Sequence, residues 1–249
     1  IYTGEDTLSL HDALPIFMPL SLSNRMRCFV NSCAFFVHDC GLCGQPAGRP
    51  VCAACLAALP QLAGSACPRC GVRHPAGGVC HRCRLRPPAF DALHAGHAYQ
   101  WPLSAVLHRC KYGGDLQQVG LMAYLMLAAA PVLPAGAVLV PLSRRAHPGR
   151  DFNHSAELAG LLAQATGLPV CDVLSRVRNT PPQAGLGRRQ RLRNMAGAFA
   201  SAALPAGQSC VLVDDVLTTG ATLSAAARAL KRAGAGRVEG WVWLRAQPG

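Results

Sequence analysis

Lysine is almost missing from this sequence. Of 24 basic residues only Lys111 and Lys231 are lysines, and all the others are arginines. Acids are scarce too: 12 of them leave a formal net charge of +12. Such a balance favours polyanionic partners, whether nucleotides, pyrophosphate, nucleic acid or an acidic membrane surface. Aromatic residues make up 6% of the chain. None lies in the arginine-rich stretch Arg176 to Arg193, so that stretch offers no ring for bases to stack on.

Long apolar runs are missing as well. Leu116 to Ser143 carries no charge, but Pro131, Pro134 and Gly136 break it near its middle. A membrane span needs about 20 apolar residues in one continuous helix. A helix over Leu116 to Ala129 and a buried strand at Val138 to Pro141 fit the run better. A secretory leader is not expected either. Arg25 and Arg27 precede the apolar stretch Cys28 to Val37, but Asn31 and Ser32 interrupt it and no small-residue cleavage site follows. Apolar residues form 51% of the chain, and its mean hydropathy is +0.21. These values point to a packed, cytoplasmic protein, and 249 residues suffice for one sizeable domain and a small one. Residues 1–17 are polar and unpatterned, so Met18 is expected as the natural start, leading into a short apolar helix over Met18 to His38.

Cysteine is what the chain has in plenty. Eight of its 13 cysteines form four Cys-x-x-Cys pairs: Cys40/Cys43, Cys52/Cys55, Cys67/Cys70 and Cys80/Cys83, separated by 8, 11 and 9 residues. Each pair sets two thiolates on one side of a tight turn, and two such turns make a tetrahedral sulfur site for zinc. Gly44 and Gly71 follow two of the pairs and suit the turn geometry. The simplest partition is two consecutive zinc ribbons; an interleaved pairing stays open. No βαβ pattern surrounds any pair, which excludes a thioredoxin-like centre. His74 and His81 lie inside the module as bystanders, and Cys28, Cys33, Cys110, Cys171 and Cys210 read as ordinary small core residues.

Pro87 to Asp91 marks a semi-rigid boundary. Beyond it the pattern predicts a strand over Ala92 to Tyr99, a helix over Pro102 to Lys111, a turn at Tyr112 to Asp115, a helix over Ser155 to Ala165, strand-like residues from Met195 to Ser201 and a last strand over Arg237 to Leu244. Arg176 to Arg193 reads as an aperiodic loop able to close over a charged substrate. The loop Ser143, Arg144, Arg145 follows a strand end and suits pyrophosphate, because guanidinium meets phosphate oxygens in a bidentate way.

The most specific stretch is Val211 to Leu223. Cys210 to Val213 reads as a buried parallel strand, with Asp214 and Asp215 at its carboxyl end. Leu217 to Thr222 is a small, hydroxyl-rich turn, and Leu223 to Ala233 a helix ended by Gly234. Open α/β sheets bind ligands where a strand's carboxyl end leads into a helix. Backbone N–H groups, hydroxyls and the positive helix end there suit a phosphate, and Gly220 lets the anion approach. The carboxylates can accept from a vicinal diol or help hold magnesium.

The whole pattern resembles the ComF family, a double zinc ribbon joined to a type I phosphoribosyltransferase domain, some of whose members are GntX-like. The matching residues are the four cysteine pairs, Pro87 to Asp91, Lys111 to Asp115, Val140-Pro141, Arg150 to His154, Arg176 to Asn194 with Gln183, and Val211 to Leu223. The resemblance implies an α/β fold, a phosphoribosyltransferase-like parallel sheet with flanking helices over 87–249. A double zinc ribbon over 40–86 and an extension over 1–39 would precede it. It implies phosphoribosyl pyrophosphate as ligand, with magnesium beside the two structural zinc ions. Asp214 and Asp215 would be catalytic and hold the ribose. Val216, Leu217, Thr218, Thr219, Gly220, Ala221 and Thr222 would complete the binding loop. Ser143, Arg144 and Arg145 would take the pyrophosphate, and Gln183, Arg188 and Arg189 would belong to the lid. An active member would be a glycosyltransferase. The family's association with competence adds single-stranded DNA and DNA-uptake proteins as partners. A non-catalytic, nucleic-acid-binding accessory of transformation is the alternative. One departure stands out: Asp151 occupies the glycine place of the family's Arg-Gly-Phe-Asn run.

Overall fold

Two strongly β-forming runs, one ending in the Asp pair and one carrying Trp241 and Trp243, become the two middle strands of the sheet. The computed structural model describes residues 39–62, 66–113, 117–142, 153–178 and 188–247. In chain order the elements are α1 (Ala53–Ala58), α2 (His81–Leu85), β1 (Ala92–Ala98), α3 (Leu103–Gly113), α4 (Gln117–Ala128) and β2 (Val138–Pro141). They continue with α5 (His154–Thr166), β3 (Leu174–Arg176), α6 (Arg188–Asn194), β4 (Phe199–Ser201), β5 (Ser209–Leu217), α7 (Ala221–Arg232) and β6 (Arg237–Arg245).

The four long strands form one parallel sheet in the order β1-β6-β5-β2. Val138 pairs with Cys210, Val213 with Trp241, and Ala92 with Glu239. Alternation along β5 sends Val211 and Val213 into one buried cluster and Cys210 and Leu212 into another. The first cluster holds α3, α4 and α5, and the second holds α7 with the short antiparallel pair β3 and β4. The fold is thus the expected parallel α/β sheet covered on both faces. Gly240 in β6 is required by close approach, since a Cβ there would lie 2.5 Å from Leu223 Cδ2 and 2.9 Å from Leu93 Cδ1.

The cysteine module sits on this sheet. Cys40, Val51 and Leu59 join the α4 side of the core. The outer side of β1, which would otherwise be a bare edge, is taken by the segments around Pro60 and Pro68. Ala98 N donates to Pro60 O at 2.8 Å, Leu62 N to Gly96 O at 3.3 Å and Leu93 N to Pro68 O at 2.9 Å. At the boundary, Asp91 accepts from Val238 N at 2.9 Å and from Lys231 Nζ at 2.7 Å.

Some boundaries move. Strand β5 does not stop at Val213 but runs to Leu217, because Val216 and Leu217 stay paired with Leu244 and Arg245. Helix α7 starts at Ala221, two residues before Leu223, while α3 runs on through Gly113. The aperiodic stretch Arg176 to Arg193 is not all loop: it begins in β3, and Arg188 to Asn194 is helical. Arg, Gln and Leu are good helix formers, and composition without a hydrophobic period hid this. Of Met195 to Ser201 only Phe199–Ser201 is strand. The expected start at Met18, the helix over Met18 to His38, the turn residues Gly114 and Asp115, and Asp151 lie outside the described residues. No helix among the described residues is long and apolar enough to cross a membrane.

His97 in β1 is 2% exposed, and its Nδ1 has no hydrogen-bond partner. Burial lowers its pKa from 6.5 to about 4. The neutral ring is the folded form, so the unfolded chain binds the extra proton between these values. Stability is therefore complete above pH 6.5 and falls as pH drops toward 4, by up to about 3 kcal/mol. Urea unfolding across this window is expected to fall more steeply for wild type than for His97→Leu; parallel pH profiles would refute the assignment.

Candidate functional site

Four sulfurs converge twice. Cys40, Cys43, Cys52 and Cys55 form one cluster, and Cys67, Cys70, Cys80 and Cys83 form the other, each with its sulfurs within 4.8 Å of one another. The consecutive partition holds and the interleaved one does not. Cys43 Sγ lies 3.9 Å from Cys52 Sγ and Cys70 Sγ 3.8 Å from Cys80 Sγ. A tetrahedron with Zn–S bonds of about 2.3 Å has edges of about 3.8 Å, so each cluster can hold one zinc ion. The backbone prepares one thiolate in each cluster. Burial pushes the Cys40 thiol up, but N–H donors of Cys52, Cys43 and Leu42 outweigh it and bring it down to about 6. Cys67 follows the same pattern, with donors of Cys80, Arg69 and Cys70 bringing it to about 7. His74 is a bystander: its Nδ1 lies 2.5 Å from Gly77 O.

The Asp pair ends up inside the protein. Asp214 is 7% exposed and Asp215 1%. Asp215 meets Lys111 Nζ at 3.0 Å through Oδ1 and at 2.9 Å through Oδ2. Asp214 Oδ1 accepts from Ser155 Oγ at 3.1 Å. Both donors are delivered by helix ends. Asn153 caps α5 by accepting from Ser155 N at 3.2 Å, and His154 Nε2 donates to Cys110 O at 3.0 Å, tying α5 to the end of α3 that carries Lys111. Sequence reasoning gave neither Lys111 nor Ser155 a role. For Lys111 two signals were available, the rarity of lysine and its place among the residues that carry the family resemblance.

The turn after β5 is held from below. Arg245, 3% exposed, donates through Nη1 to Leu217 O at 3.1 Å and Thr218 O at 2.7 Å, and to Ala246 O. Its Nε donates to Cys70 O at 2.6 Å. Gly220 precedes α7 with φ 77°, a left-handed backbone that glycine adopts without strain. Thr219 Oγ1 accepts from Ala221 N at 3.4 Å. Asp214 and the run Val216 to Leu223 line a hollow of about 30 Å³. Thus Val216 and Leu217, expected in the binding loop, lie in the strand, while Thr218, Thr219, Gly220, Ala221 and Thr222 form the turn and the first helical residues.

The other expected elements divide. Ser143, Arg144, Arg145 and Gln183 lie outside the described residues, whereas Arg188 and Arg189 open α6. That helix carries Arg191, whose Nη1 donates to Thr218 Oγ1 at 3.3 Å. An arginine of the stretch Arg176 to Arg193, though not one of the two assigned to the lid, therefore reaches the turn.

Residues 153–246 match the phosphoribosyl transferase domain family. The DNA utilization protein YhgH of Salmonella typhi is 35% identical over 241 residues, covering 92% of this chain and 94% of that protein. YhgH of Escherichia coli strain K12 is 33% identical over 156 residues, 59% of this chain and 69% of the other. Competence protein F of Haemophilus influenzae is 29% identical over 163 residues, 61% of this chain and 71% of its own.

Proposed function

Because the chain belongs to the ComF family, we propose that it binds phosphoribosyl pyrophosphate with magnesium, as a cytoplasmic phosphoribosyltransferase-type protein serving DNA uptake. The observation that carries this reading is the turn Thr218 to Gly220. It opens α7 behind a left-handed glycine, with only Val216 and Leu217 between it and two buried carboxylates near the carboxyl end of a parallel strand. Strand β2, whose carboxyl end leads toward Ser143, Arg144 and Arg145, lies beside β5 on the same side of the sheet order.

In this reading the 5′-phosphate takes the N–H groups and hydroxyls of Thr218 to Thr222. Asp214 and Asp215 accept from the ribose hydroxyls, with Ser155 and Lys111 fixing their orientation. Ser143, Arg144 and Arg145 receive the pyrophosphate, and Arg188, Arg189 and Gln183 close over it. Asp214 and Asp215 would be the residues to hold magnesium, which would offset the charge of the leaving pyrophosphate. Catalysis, where a turnover takes place, is then positioning and charge stabilisation.

Calorimetric titration of the zinc-loaded chain with phosphoribosyl pyrophosphate and magnesium tests this. Wild type is expected to bind, and Asp214→Asn and Thr219→Ala to bind about tenfold more weakly. No binding by wild type would sink the proposal. A salt-dependent affinity for single-stranded DNA that persists in both variants would support the non-catalytic accessory role instead.

A further inference from the structure

A second cavity lies where the zinc module meets the sheet. It has a volume of about 420 Å³, within the range of about 300–1,000 Å³ usual for small-molecule sites. One wall is cationic, with Arg82 and Arg86 from α2 and the residue after it, Arg228 from α7, and Arg245 from β6. The other is apolar and stiff, formed by Pro87, Pro88 and Phe90. No carboxylate of the described residues lines it.

Three features make this arginine set unusual. Arg82, Arg86 and Arg228 are exposed, and no described carboxylate pairs with them. Arg245 spends Nε and Nη1 on carbonyls. Burial holds Arg245 below the usual arginine range; the Cys70 thiol opposes this and the Arg82 charge adds to it. A zinc tetrathiolate at the second cluster contributes a formal charge of about −2, so four guanidiniums still leave the cavity cationic.

We infer that this cavity is a second anion site, taking one 5′-phosphorylated nucleotide, with the phosphate on Arg82, Arg86 and Arg228 and the base against Pro87 and Pro88. Its place separates it from the Asp214 hollow. The sheet order puts β2 on one side of β5 and β6 on the other, and it is β6 that supplies Arg245 to this cavity. The two cavities share only Leu217, Thr219 and Gly220. The nucleotide is either free or one unit of a strand; the chemistry is the same, and guanidinium is the side chain best matched to its phosphate.

The experiment uses the full zinc-loaded chain, with adenosine 5′-monophosphate and pentathymidylate as probes, titrated in the same low-salt buffer. Wild type is expected to bind the monophosphate, and the triple variant Arg82→Gln, Arg86→Gln, Arg228→Gln to bind it at least about tenfold more weakly. The triple variant should keep wild-type affinity for phosphoribosyl pyrophosphate with magnesium, which separates this site from the other. Tighter binding of pentathymidylate than of the monophosphate assigns the site to a strand, and the reverse order to a free nucleotide. The inference is overturned if wild type binds neither probe, if the triple variant binds as wild type does, or if saturating phosphoribosyl pyrophosphate displaces the monophosphate competitively.

Discussion

Arg245→Met is expected to lower the urea midpoint by the equivalent of about 3 kcal/mol with an unchanged slope. The guanidinium satisfies the carbonyls of Cys70, Leu217, Thr218 and Ala246 from a position 3% exposed. Methionine fills a similar volume but donates nothing, so these acceptors lose their partner where water is largely excluded. Each loss costs about 1 kcal/mol or more. Arg245→Lys should rescue only part of this, since a point charge cannot reach the carbonyl of the cysteine knuckle and those of the turn together. A loss below about 1 kcal/mol in the methionine variant would mean that water replaces the guanidinium, and the clamp would be discarded.

Cys67→Ser is expected to reduce the zinc content from two ions per chain to one by elemental analysis, as is Cys43→Ser. Their effects on ligand binding should differ. The knuckle that follows Cys67 is tied to the far end of the sheet: Arg73 N donates to Gln247 Oε1 at 2.9 Å, Gln247 Nε2 to Gly71 O at 3.1 Å, and Arg245 Nε to Cys70 O. Cys43 belongs to the cluster packed on the α4 side, away from the Thr218 turn. Structural zinc contributes about 10–16 kcal/mol in small zinc-finger peptides, so its loss frees the knuckle. Cys67→Ser should therefore weaken phosphoribosyl pyrophosphate binding about tenfold and Cys43→Ser much less. Equal effects would refute the route through Arg245, and two zinc ions in either variant would refute the ligand sets.

The sequence was most legible where one residue type answers to one geometry. Cysteine spacing gave both sulfur clusters, because two thiolates two residues apart share one side of a turn. The β-branched run before Asp214 gave the buried strand, whereas the left-handed backbone at Gly220 emerged only from the structure. What stayed hidden depends on contacts between distant segments. Nothing local to Lys111 says that it will meet Asp215, and nothing local to Arg245 says that it will join a knuckle near Cys70 to a turn near Thr218. The helix Arg188–Asn194 was missed because it lacks an apolar stripe, the one feature that periodicity can detect.

The bonds between the zinc module and β1 carry one more consequence. An outer strand of a sheet is a template on which a second chain can grow, and proteins conceal such strands or blunt them with charge. Here β1 reads Ala-Leu-His-Ala-Gly-His-Ala, without a formal charge of its own, and its concealment rests on the backbone around Pro60 and Pro68. Those segments follow the first cluster and flank Cys67. Loss of the metal should free those segments, so the zinc-free chain is expected to self-associate along β1; light scattering before and after chelation checks this, and an unchanged size would refute it.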